Sequence, residues 1–174
     1  MTTKMNRKGI SNVVATIILI AVAIALAVAV AVWVFGLAGS ASKTATLQVQ
    51  AVGLTGVSSA ANGGSGTATL TLLISNPSSS GIGINGFTLG SLSCVFSSPV
   101  QVPAGTQGGQ LTIKLTISGG AFTNATVSGS GGITASGIKA SCSGTQAAAV
   151  GVQYSGYITT VSGQTYPFTV TASS

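Results

Sequence analysis

The chain has 174 residues, 6 of them lysine or arginine, and no aspartate, glutamate or histidine. That balance removes the side chains most used in general acid–base work, the usual activator of a nucleophilic serine or cysteine, and the carboxylate and imidazole ligands of metal sites.

The N-terminus carries Lys4, Arg7, Lys8 and Gly9, then Ile10, Ser11 and Asn12. Residues 13–35 follow as an apolar run broken only by Thr16. As a helix the run is about 35 Å long, enough to cross a hydrocarbon core of about 30 Å. Three cations on one flank, against Lys43 on the other, orient the N-terminus to the cytoplasm, and Trp33 and Phe35 fall where aromatic rings favour the far interface. A secretory signal has its cleavage site after the apolar region. Here the small residue behind a basic pair comes before it, so the helix is retained after processing.

Within the run, alanine alternates with Val, Ile and Leu. The run is too long for one strand, so length decides for helix. At about 100° per residue, Ala21, Ala25 and Ala29 form one ridge and Ala23, Ala27 and Ala31 another on roughly the opposite side. Bulky ridges, Val22–Leu26–Val30 and Ile24–Val28–Val32, lie between them. Small residues four apart admit a neighbouring backbone, and ridges of unequal height interlock. Two opposed small faces suit a helix with neighbours on several sides.

The stretch RKG-ISNVVATIILIAVAIALAVAVAVWVFG resembles the N-terminal segment of archaeal type IV pilins of the adhesion type, including its closing aromatic-Val-Phe-Gly. The resemblance covers about the first 36 residues. It implies a class III signal peptide cut between Gly9 and Ile10 by a membrane peptidase. The mature helix would then lie in the membrane until an assembly machinery builds it into a homopolymeric surface filament. Bacterial pilins carry a glutamate at the fifth mature position; here that position is Val14, in keeping with the archaeal branch. Two other readings share the signal: an archaellin-type subunit of a rotating swimming filament, and a membrane-anchored binding module.

Composition shifts at residues 36–42, where Gly36, Gly39, Ser40 and Ser42 end the helix or loosen it into a hinge. The domains expected are a cleaved leader at 1–9, a hydrophobic helix with hinge at 10–42, and an outer domain at 43–174. About a third of that outer portion is Ser or Thr. Seven strand-like segments run through it, at 44–54, 67–75, 82–89, 110–117, 122–127, 148–158 and 166–171. In 67–73 and 111–117 apolar residues alternate with Thr or Lys, the pattern of half-buried antiparallel strands. Gly, Ser, Asn and Pro clusters, Asn76-Pro77 among them, mark turns. The fold class is therefore α+β: a long apolar helix followed by an all-β domain, a β-sandwich of immunoglobulin-like type.

Cys94 and Cys142 lie in this outer portion, where an extracytoplasmic location permits a disulfide. Asn124-Ala125-Thr126 is an acceptor sequence for N-glycosylation on an exported chain, and the dense hydroxyls are compatible with O-linked sugars. A Ser–Lys dyad through Lys43, Lys114 or Lys139 has no motif around it, and no phosphate loop, dinucleotide fingerprint or calcium loop is present. No enzyme activity, cofactor or metal is expected. Three of the six cations belong to the leader, which leaves Lys43, Lys114 and Lys139 apart in sequence. Nucleic acid is not expected as the primary partner. The function expected is a structural pilin on the cell surface, its precursor in the cytoplasmic membrane.

Overall fold

The computed structural model describes residues 7–42, 46–57 and 63–174, with side chains described from residue 10 to 37 in the N-terminal helix. The expectations on Lys4 and Lys43 lie outside the described residues. The chain forms two compact units, Met1–Lys43 and Thr44–Ser174.

The first unit is the helix α1, Arg7–Ser42. It continues through Gly36 and Gly39, where a hinge is expected, and closes at Ser42. The polar residues in its first turns do not break it: the Thr16 hydroxyl donates back to the Asn12 carbonyl at 2.8 Å, which satisfies the hydroxyl inside an apolar stretch.

The second unit is all β, as expected. Its strands are β1 (Gln48–Thr55), β2 (Gly66–Ser75), β3 (Ile82–Leu89), β4 (Leu92–Val102), β5 (Gly109–Ser118), β6 (Ala121–Ser130), β7 (Ile138–Ser143), the two-residue β8 (Gln146–Ala147), β9 (Gln153–Thr160) and β10 (Thr165–Thr171). The pairings are antiparallel and join into one sheet, β1-β2-β5-β6-β7-β4-β3-β9-β10, with β8 attached to β6. The two ends of this path meet. Leu54 and Ala172 form a parallel bridge, and the Ser173 amide donates to the Leu54 carbonyl at 2.8 Å. The layers of a sandwich are thus parts of one hydrogen-bonded sheet wrapped around its core, which protects most strand edges.

The core follows from alternation. Ala68, Leu70, Leu72 and Ile74 of β2 face Leu111, Ile113, Leu115 and Ile117 of β5, all buried, while the residues between them point outward. Phe87 and Phe96 pack with ring centroids 5.9 Å apart, and Phe122 meets Tyr154 edge-on at 5.8 Å. The buried Tyr154 hydroxyl donates to the Ala147 carbonyl at 2.7 Å and accepts from the Ala149 amide at 2.9 Å. That pins the segment before β9 into a turn, so β9 begins at Gln153 rather than at residue 148.

Cys94 and Cys142 form the expected disulfide, Cα–Cα 4.0 Å. They stand directly opposite each other on β4 and β7, where the close pairs of an antiparallel ladder bring side chains together.

Candidate functional site: an unpartnered helix and a two-faced outer domain

The helix is the first candidate. Residues Ile10–Leu37 have a mean hydropathy of 3.2, and every side chain over 10–37 is exposed. Phe35 is 77% exposed and Trp33 68%. Seventeen large apolar side chains of the helix are exposed, and leaving them in water would cost far more than a small domain's whole stability, at about 25 cal/mol per Å². An apolar surface of this size is compatible with a membrane anchor or a signal sequence. The helix is long and apolar enough to cross a membrane.

Both alanine ridges, Ala21–Ala25–Ala29 and Ala23–Ala27–Ala31, lie on unbroken helix and are open to a neighbour. The processing residues Arg7, Lys8, Gly9 and Ile10 occupy the first turn. The bond between Gly9 and Ile10 is thus placed inside the helix, and Ile10 is exposed.

The outer domain carries the second candidate. Asn124 lies on β6 with its side chain exposed, so the acceptor sequence is on the solvent face. It lines a shallow open groove with Lys139, Ser97 and Val95. Thr126, the third residue of the acceptor sequence, sits opposite Lys114 of β5 and opposite Lys139 of β7. Lys114 and Lys139 are thus neighbours-but-one in a single cross-strand row, although 25 residues of chain separate them. Their distance in sequence hides this. Only the pairing β5-β6-β7 brings them together, and the clue was the shared alternation that puts both on outward positions.

The same strands expose no large apolar side chain. The exposed Val95, Tyr157 and Val161 lie on β4, on β9 and in the turn after β9. Val95 borders the groove that holds Asn124 and Lys139, so the hydroxyls and lysines of β5, β6 and β7 are flanked by single exposed apolar groups.

Among the described residues no group of three or more potential ligands could hold a metal ion, and no buried side-chain nitrogen or oxygen lacks a hydrogen-bond partner. Comparison with known protein families finds no matching model, and comparison with curated proteins finds no match.

Proposed function

We propose that the chain is the structural subunit of an extracellular type IV pilus of the archaeal kind, which polymerises through its N-terminal helix and serves surface adhesion. The observation that carries this reading is the helix over Ile10–Leu37, apolar on all sides and exposed along its whole length. A lone anchor requires apolar length and nothing more. Two opposed alanine ridges separated by bulky ones also offer close backbone approach to neighbours on more than one side. The precursor waits in the cytoplasmic membrane; after a class III peptidase cuts behind Gly9, copies leave the bilayer and bury the same surface against one another.

The outer domain supports this division of labour. It has its own closed core, a covalent link between β4 and β7, and no acid side chain or histidine with which to run proton-transfer chemistry. Its role is to coat the filament and make contacts, with Asn124 available for a sugar. No enzyme activity, cofactor or nucleic-acid partner is assigned.

The test is electron microscopy of filaments sheared from the cell, with mass spectrometry of their subunit. The expected result is a filament whose subunit begins at Ile10. A subunit that retains Met1 or Thr2, or one cut within residues 36–42, would remove this reading. Loss of swimming with adhesion intact after deletion of the chain would assign it to a rotating filament instead.

A further inference from the structure

We propose that the outer face of β2, β5, β6 and β7 is a docking surface for an acidic polysaccharide, with Lys114 and Lys139 as its cations. The inference rests on the pilin reading only for its multivalency; the surface itself belongs to a single chain.

The geometry begins with one row across four strands. Thr69 of β2 stands opposite Lys114 of β5, Lys114 opposite Thr126 of β6, and Thr126 opposite Lys139 of β7. The row beside it continues with Thr71 opposite Thr112 and Thr112 opposite Ser128. Beneath the first row lie the buried Leu70, Ile113 and Val127, which hold the strands in register. Strands are spaced about 4.8 Å apart, which puts the two lysine stems about 10 Å apart. That is close to the Debye length at physiological salt, so the two charges act on one polyanion together.

Threonine favours strands on any exposed face, and threonine alone would carry nothing. Charge distinguishes this face. Both lysines of the described outer domain stand in this one row, and the whole sequence offers no Asp or Glu side chain to neutralise them. Their counter-charge comes from outside the chain's side chains. The β-branched threonines between them have few χ1 choices, so their hydroxyls are already arranged and lose little freedom when they bond to sugar hydroxyls.

The same face argues against two other polyanions. It carries no aromatic ring on which a nucleic-acid base would stack, and its apolar side chains are the half-buried Leu73 of β2 and the exposed Val95 bordering Lys139, too few and too far apart in the sheet to enter an anionic bilayer as a patch. A chain of sugars with regularly spaced carboxylates suits a flat array of hydroxyls and ammonium groups. Two surface cations bind weakly in one copy. Repetition along a filament turns this into avid attachment, by a factor of about 10²–10⁴.

The experiment uses the full processed chain, both as filaments and dispersed in non-ionic detergent, on surfaces coated with polygalacturonate, neutral dextran, poly(dT) or phosphatidylglycerol vesicles. Preferential binding to polygalacturonate is expected, weakening at least about tenfold between about 0.05 M and 0.5 M salt. The double variant Lys114→Gln/Lys139→Gln should lose about tenfold or more in detergent, with unchanged melting because both side chains are exposed. Lys114→Arg/Lys139→Arg should retain binding, and Thr69→Val, opposite Lys114 and outside the Asn124 acceptor sequence, should weaken it severalfold. Equal binding to neutral dextran, tighter binding to poly(dT) or to vesicles, or an undiminished double glutamine variant would each overturn the proposal. The detergent arm keeps the surface testable even if no filament forms, and a filament that binds no polygalacturonate would sink the surface while leaving the pilin reading intact.

Discussion

The buried side-chain amide of Asn76 donates to the carbonyl of Val102 at 3.1 Å, across 26 residues of chain. The same nitrogen reaches the carbonyls of Ser80 at 2.9 Å and Pro103 at 3.2 Å, and Asn76 Oδ1 accepts from the Ser78 amide at 3.1 Å. Its own backbone amide donates to Thr106 at 2.8 Å. One fully buried polar residue thus ties the turn after β2 to the turn between β4 and β5.

Replacing Asn76 tests this clamp. Asn76→Ala leaves buried carbonyls without donors and should cost roughly 2–4 kcal/mol, read as a lower urea midpoint with an unchanged slope. Asn76→Asp is the sharper variant. It keeps the shape but sets a carboxylate against carbonyl oxygens, which favours the protonated acid and raises its folded-state pKa above about 3.9. A raised carboxyl pKa makes the variant relatively most stable below that unfolded value and less stable as pH rises through the folded one. Its melting temperature should therefore fall from pH 3 to pH 7. An Asp variant with equal stability at both pH values would show that the side chain is not held against those carbonyls.

The disulfide gives a second prediction. Cross-linking Cys94 to Cys142 closes a long loop, and on the chain-entropy model this contributes about 4 kcal/mol. The double variant Cys94→Ser/Cys142→Ser should lose roughly 2–5 kcal/mol, part of it because Cys94 is buried and a serine hydroxyl there needs a partner. Unchanged denaturant midpoints with and without reductant would assign the stability to the apolar core alone.

Assembly supplies a third. Ala25→Leu and Ala27→Leu each raise one of the two small ridges, so each should lower filament yield several-fold while the outer domain keeps its melting temperature. Deletion of residues 10–42 should yield a soluble monomer with a β-rich circular-dichroism spectrum. Normal filaments from both leucine variants would mean that the helix packs through its bulky faces.

Much of this architecture was legible in the residues. The helix shows itself by length and hydropathy, and β2 and β5 by alternation over Ala68, Leu70 and Leu72 and over Leu111, Ile113 and Leu115. Strand β4 was not legible, because Ser97, Ser98 and Pro99 interrupt any apolar alternation between Leu92 and Val102. In the fold they form an irregularity: Ile84 pairs with Val100 and Gly86 with Val95, so residues 96–99 stand against Asn85 alone on β3, while Phe96 keeps its pairing with Ala140 of β7. Proline is tolerated at such a point because no ladder hydrogen bond is required of it. Strand β7 was hidden for another reason. Its inward side chains include the small Ala140, and Gly137 and Gly144 flank it with positive φ of 58° and 77°. The closure of the sheet at Leu54 and Ala172 depends on pairing order, which no local pattern encodes. The lysine row was concealed in the same way.

Acid is the last prediction. Most acid denaturation arises because carboxylates that are paired or hydrogen-bonded in the native state become protonated, or because buried neutral histidines become charged. This chain has no Asp, Glu or His, and its cysteines are joined in a disulfide, so no side chain titrates between about pH 2 and pH 8. With equal proton uptake by folded and unfolded side chains, the slope of stability with pH is close to zero over that window. Filaments incubated at pH 2 and pH 7 should therefore have the same length, and the outer domain the same melting temperature within a few degrees. Enzymatic removal of sugars before the incubation separates the protein from anything attached to Asn124. Disassembly at pH 2 that disappears on deglycosylation would place the acid-sensitive group on the glycan. Disassembly that persists would show that the filament depends on an ionisable partner other than its own side chains.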